Sequence, residues 1–121
     1  MVYNVKQTLI NNGGGVMAKI IIGTTPTIKY KFKIVDVSEI SEAILTIEDR
    51  RKTEKLRKTL DTATVGTDSI EWTLTQKETL SLGTGVPLTM MLNWLTADGT
   101  RGASAEESVI MVNNHIREVI T

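Results

Sequence analysis

The sequence predicts an all-β domain: an antiparallel β-sandwich, immunoglobulin-like in general architecture, with one short helix near residues 76–82. Three observations lead there. In one stretch Ile28, Tyr30, Phe32 and Ile34 alternate with Lys29, Lys31 and Lys33, which is the period of two that a half-buried strand requires. A second stretch repeats the pattern, with Ile70, Trp72 and Leu74 set against Glu71, Thr73 and Thr75. Turn-forming residues then recur at short intervals, and no long segment carries a helical period, which together describe short strands stacked in two layers.

Residues 1–16 differ from the rest. Val2, Val5 and Leu9 or Ile10 make a short apolar stripe that residues 11–15 (Asn-Asn-Gly-Gly-Gly) interrupt. Two readings stand side by side. Codons for paired glycines just upstream of Met17 can resemble a ribosome-binding site, which would make Met17 the natural start; otherwise residues 1–16 are an N-terminal arm. Residues 17–121 form the single sandwich domain.

Within it, Lys19, Ile20, Ile21 and Ile22 suit a short edge strand, and residues 23–27 (Gly-Thr-Thr-Pro-Thr) a crossing in which Pro26 keeps Thr25 out of helical geometry. The lysine-faced strand extends to about Val35. Residues 36–41 are a polar loop with room for one helical turn capped by Ser38. Residues 43–48 are apolar enough to be a central strand, and residues 53–60 return past a charged hairpin tip as an exposed edge, where lysine and arginine discourage edge-to-edge pairing. After a turn at residues 65–68 comes the Trp72 strand, and then Thr75 with Glu78 in the spacing of a capping box. Leu88, Met90, Leu92 and Trp94 share one face of a long strand, with Thr89, Met91, Asn93 and Leu95 on the other. Asp98-Gly99 marks a hairpin, and residues 101–113 return with Val109 and Met111 opposite Ile110 and Val112. Residues 115–120 suit a last strand or a single helical turn. Trp72 and Trp94 are the expected centre of the core.

At 121 residues the chain can bury a core without metal or disulfide staples. It has no cysteine, so thiolate chemistry, iron–sulfur clusters and disulfides are excluded. Fourteen basic residues balance fourteen acidic ones, which argues against general polyanion binding. There is no apolar run of membrane-spanning length and no secretory pattern at the N-terminus, so a cytosolic or virion protein fits better than an exported one.

No residue pattern points to catalysis, a cofactor or a metal. His115 is the only histidine, and Asp49, Asp61, Asp68 and Asp98 occupy turns, where local hydrogen bonding explains them. Gly13–15 and the Gly83/Gly85 pair lack the context of a phosphate cradle. The most distinctive local feature is basic. Lys29, Lys31 and Lys33 share a strand face, and Arg50, Arg51, Lys52, Lys55, Arg57 and Lys58 crowd the next hairpin, nine of the fourteen basic residues. Were those strands neighbours, one sheet would carry a positive face; the simpler reading is a solvated, edge-protecting surface. Tyr30 interleaves with the Lys29–Lys33 side chains as an aromatic, but its parity, shared by Phe32, puts it on the core face, so nucleic-acid binding by base stacking is poorly supported.

Four segments together point beyond residue chemistry. They are residues 23–27 with the alternating strand behind them, residues 74–80 (Leu-Thr-Gln-Lys-Glu-Thr-Leu), residues 93–99 (Asn-Trp-Leu-Thr-Ala-Asp-Gly), and residues 115–120 (His-Ile-Arg-Glu-Val-Ile). Across residues 18–120 the chain resembles a recurring group of small phage and prophage virion proteins, specifically the N-terminal β-sandwich domain of phage baseplate upper proteins. The matching motifs are turns and strands; on this reading residues 1–16 are expected to have no counterpart, and no fibre or receptor-binding part is expected to be attached. The resemblance implies a non-enzymatic structural or assembly protein of a tail, baseplate, neck or capsid surface. It would be made in the host cytoplasm and placed in the virion, with no cofactor and no membrane. Its partners would be other phage structural proteins and further copies of itself in a homo-oligomer. Contacts would run through exposed apolar residues such as Met91 and Leu95, through an unpaired edge, or through strand addition by the arm. The alternative is a β-sandwich module that binds host-surface carbohydrate or nucleic acid. Only five aromatic residues are present to build a sugar platform, and at least three of them fall on core faces.

Overall fold

The computed structural model describes the backbone of residues 2–5 and the whole of residues 18–121. Ten strands are seen there: β1 (Val2–Val5), β2 (Ala18–Ile21), β3 (Thr27–Phe32), β4 (Ile40–Glu48), β5 (Glu54–Thr59), β6 (Thr64–Val65), β7 (Ser69–Thr73), β8 (Leu88–Thr96), β9 (Arg101–Ala103) and β10 (Glu107–Val112). One helix, α1 (Gln76–Leu82), lies between β7 and β8. The strands form two sheets, one in the order β1-β3-β7-β6 and a larger one in the order β2-β10-β8-β4-β5, with β9 beside β8. The fold is an all-β sandwich with one helix. Pairing is antiparallel except at two edges, where β1 runs parallel to β3 and β2 parallel to β10.

The alternating patterns bury the faces they predict. Ile28, Tyr30, Ile70, Trp72 and Leu74 come from the smaller sheet, and Ala43, Leu45, Ile47, Leu88, Met90, Leu92, Trp94, Val109 and Met111 from the larger; all belong to one cluster. Each large side chain withdrawn from water contributes about 1.5–3 kcal/mol. Phe32 of β3 meets Trp94 of β8 edge-on, with ring centroids 5.2 Å apart and planes at 88°, so an aromatic pair joins the two layers.

Helix α1 starts as its spacing predicts. The Thr75 hydroxyl accepts from the Glu78 amide, and the Glu78 carboxylate accepts from the Thr75 amide, 3.1 and 2.9 Å. The hairpin between β8 and β9 turns at Gly99, whose φ of +90° is one a side chain resists.

Five expectations are revised or fall outside the structure. Ile34 is 62% exposed, not on the core face, because β3 ends at Phe32, whose amide donates to the Asp68 carbonyl. The chain bends there, and Val37 takes the inward position. The turn over Val37–Glu39 is a 3-10 turn capped by Asp36, not Ser38: the Asp36 carboxylate accepts from both the amide and the hydroxyl of Ser38. The return after Gly99 is two strands. Between them Ser104 keeps its place beside β8, its amide donating to the Leu92 carbonyl and its hydroxyl accepting from the Leu92 amide, 2.8 and 2.9 Å. Residues 113–121 form neither strand nor helix; the Gln76 side-chain amide holds them by donating to the Ile120 carbonyl and accepting from the Ile120 amide. Of the N-terminal stretch, residues 2–5 pair with β3, while the proposed start at Met17 and the Gly13–15 break lie outside the described residues.

Candidate interaction surface

The basic residues do not form one face. β3 belongs to the smaller sheet and β5 to the larger, so the strands carrying the two clusters are not neighbours. Lys29 stands opposite Glu71 of β7, Lys31 opposite Ser69, and exposed Lys33 lies past the end of β3.

The hairpin cluster is divided by the parity of β5. Lys58 is registered against Leu45, on the inward side of the sheet edge, and its ammonium reaches the Glu78 carboxylate of α1 at 2.8 Å. Burial works against the Glu78 charge, but the Lys58 ammonium and the Thr75 amide outweigh it and hold this carboxyl below its ordinary range. Arg57 pairs with Glu54 at 2.9 Å, and Lys55 lies 3.9 Å from Asp49. Arg50, Arg51 and Lys52 stay exposed at the tip, which Asp49 shapes by accepting from the amides of Arg51 and Thr53. Half of this cluster is therefore committed to ion pairs within the fold. Sequence alone does not show that Lys58 turns inward, because that depends on which face of β5 the β4 register exposes.

Met91 and Leu95 lie where alternation puts them, on the outer face of the larger sheet, half-buried and 40% exposed. The register adds residues that sequence reading missed. Leu95 stands between Glu42 of β4 and Arg101 of β9, and in the next row Asn93 stands between Ile44 and Ala103. Glu42, Ile44, Asn93, Trp94, Leu95 and Arg101 border an open depression of about 230 Å³. At the opposite corner Ile21, Ile110 and Val112 are 47%, 39% and 38% exposed. Their only signal in the sequence was the outward parity of Ile110 and Val112.

The titrating groups explain themselves locally. The hydroxyl and amide of Ser38 hold the Asp36 carboxyl below its ordinary range, and the Thr96 hydroxyl and Thr100 amide do the same for Asp98. Among the described residues no three His, Asp or Glu side chains gather as a metal-ligating group, and no helix is long and apolar enough to cross a membrane. No protein-family model matches the chain, and no curated protein matches it.

Proposed function

We propose that this chain is a non-enzymatic structural subunit of a phage virion that acts through protein–protein contacts on the outer face of its larger sheet. The observation that carries the reading is the apolar side chains there: Leu95 near one end of the face and Ile21, Ile110 and Val112 at the opposite corner stand substantially exposed, and Met91 is half-buried on the same face. A sheet face that places such residues in water gains by covering them. The resemblance of residues 18–120 to phage baseplate domains supplies the kind of assembly, a tail, baseplate, neck or capsid surface. The division of the basic residues between two sheets favours this over phosphate recognition.

The test is the composition of particles purified from the source by density gradient. Peptides of this chain, recovered at a fixed multiple-copy ratio to the other particle proteins, are expected. Its absence from intact particles overturns the proposal.

A further inference from the structure

The outer face of the larger sheet carries a row of charges that complements itself. Across three adjacent strands the register reads Glu42, Leu95, Arg101: acid, apolar, base. Among the described residues neither charge has an ion-pair partner. The Arg101 guanidinium donates to the Asn93 side-chain oxygen at 3.2 Å, and one Glu42 oxygen accepts from the amides of Ala43 and Leu60.

We propose that this face is a two-fold interface between two copies of the chain, a partner assignment that rests on the assembly role above. When two sheets meet face to face, a two-fold axis relating them lies in the plane of contact. Placed along β8, that axis reverses the order of strands and leaves position along the strand unchanged. Glu42 of each copy then lies over Arg101 of the other, Ile44 over Ala103, and Met91, Asn93 and Leu95 over their own counterparts. The sheets pack in the aligned manner of a sandwich. Two opposite-charge pairs flank the central column, in which Met91 and Leu95 are apolar and the Asn93 amides, each both donor and acceptor, meet near the axis.

The size also fits. From strand spacing and rise, five strands and the length of β8 give a face of roughly 19 by 30 Å in plan. A face of that plan is of the same order as the roughly 800 Å² per partner of a standard interface. Like charges brought together at such rows cost affinity, so the same arrangement rejects a copy docked with the strand order unreversed.

The experiment is light scattering of the full chain over a concentration series, at low and high salt, with charge-reversal variants. The wild-type protein is expected to form a discrete dimer that persists in salt. R101E places two carboxylates together at each flank and E42R two cations, and each is expected to weaken dimerisation at least about tenfold. An equimolar mixture of the two restores both opposite-charge pairs and is expected to recover the wild-type dimer to within about threefold. L95K is expected to abolish it. If E42R does not fold, because Glu42 also accepts two amides, R101E and L95K decide alone. A wild-type monomer throughout, a dimer indifferent to R101E and L95K, or folded variants whose mixture stays monomeric overturns the interface. None of these outcomes touches the virion reading, which fails only if the chain is missing from particles.

Discussion

Trp94 of β8 stands directly across from Gly102 of β9, and its indole fills the space that a side chain at 102 would enter. The pair explains why a glycine sits in a strand here and how a large ring at the end of β8 is covered. Phe32 packs edge-on against the same ring from the opposite sheet. G102A drives a methyl group into an indole held between two sheets. A loss of about 1–3 kcal/mol in urea unfolding is expected, and a larger one for G102V. An unchanged midpoint for G102A would show that the ring has room to move.

Thr79 is fully buried and joins α1 to the crossing between β2 and β3. Its hydroxyl accepts from the Gly23 amide at 2.9 Å and donates to the Thr24 carbonyl at 2.8 Å. T79V keeps the shape and strands both backbone groups, so a loss of about 1–3 kcal/mol is expected. T79S retains the hydroxyl and is expected to recover most of it. Equal losses for the two variants would place the effect in packing instead.

Glu78 links stability to pH. Its folded carboxyl titrates below the ordinary value of 4.5, so its contribution is complete above that value and is lost as pH falls through the lower folded value. E78Q is expected to cost about 1 kcal/mol at neutral pH. It should also flatten the fall in stability below the ordinary carboxyl range. A wild-type acid transition that E78Q leaves unchanged would assign the pH dependence to other carboxylates.

Gln76 pins the C-terminal tail through one side-chain amide that mimics a strand partner. Q76A removes both bonds to Ile120. Global stability is expected to change by less than about 0.5 kcal/mol, because the site is on the surface. The Ile120 amide should exchange with solvent much faster, as read by hydrogen exchange. Unchanged protection would mean that other contacts hold the tail.

Phe32 and Ile34 share a parity and differ in burial, 5% against 62%. F32A is expected to cost about 3–5 kcal/mol, and I34S less than about 0.5 kcal/mol. A large loss for I34S would show that the lysine strand continues past Phe32.

What could be read from sequence was local and periodic. Parity and size place Trp72 and Trp94 in the core, a three-residue spacing makes Thr75 and Glu78 a helix cap, and Asp98-Gly99 marks a hairpin, and all three hold in the fold. Ile34 misled because alternation says nothing about where a strand stops; the Asp68 carbonyl, from a distant turn, takes the last β3 amide. Ser104 was invisible as a strand break because its hydroxyl replaces a backbone acceptor only once β8 lies beside it.

The all-β class, the inward faces, the helix and the shared face of Met91 and Leu95 can be read without the fold. Those follow from side-chain period and turn chemistry, which act over a few residues. That β3 and β5 lie in different sheets, that Lys58 turns inward to Glu78, and that Glu42, Leu95 and Arg101 form one row emerges from the assembled fold. Each of these is set by strand order and register, which depend on how distant segments share backbone hydrogen bonds, and no short-range pattern encodes that.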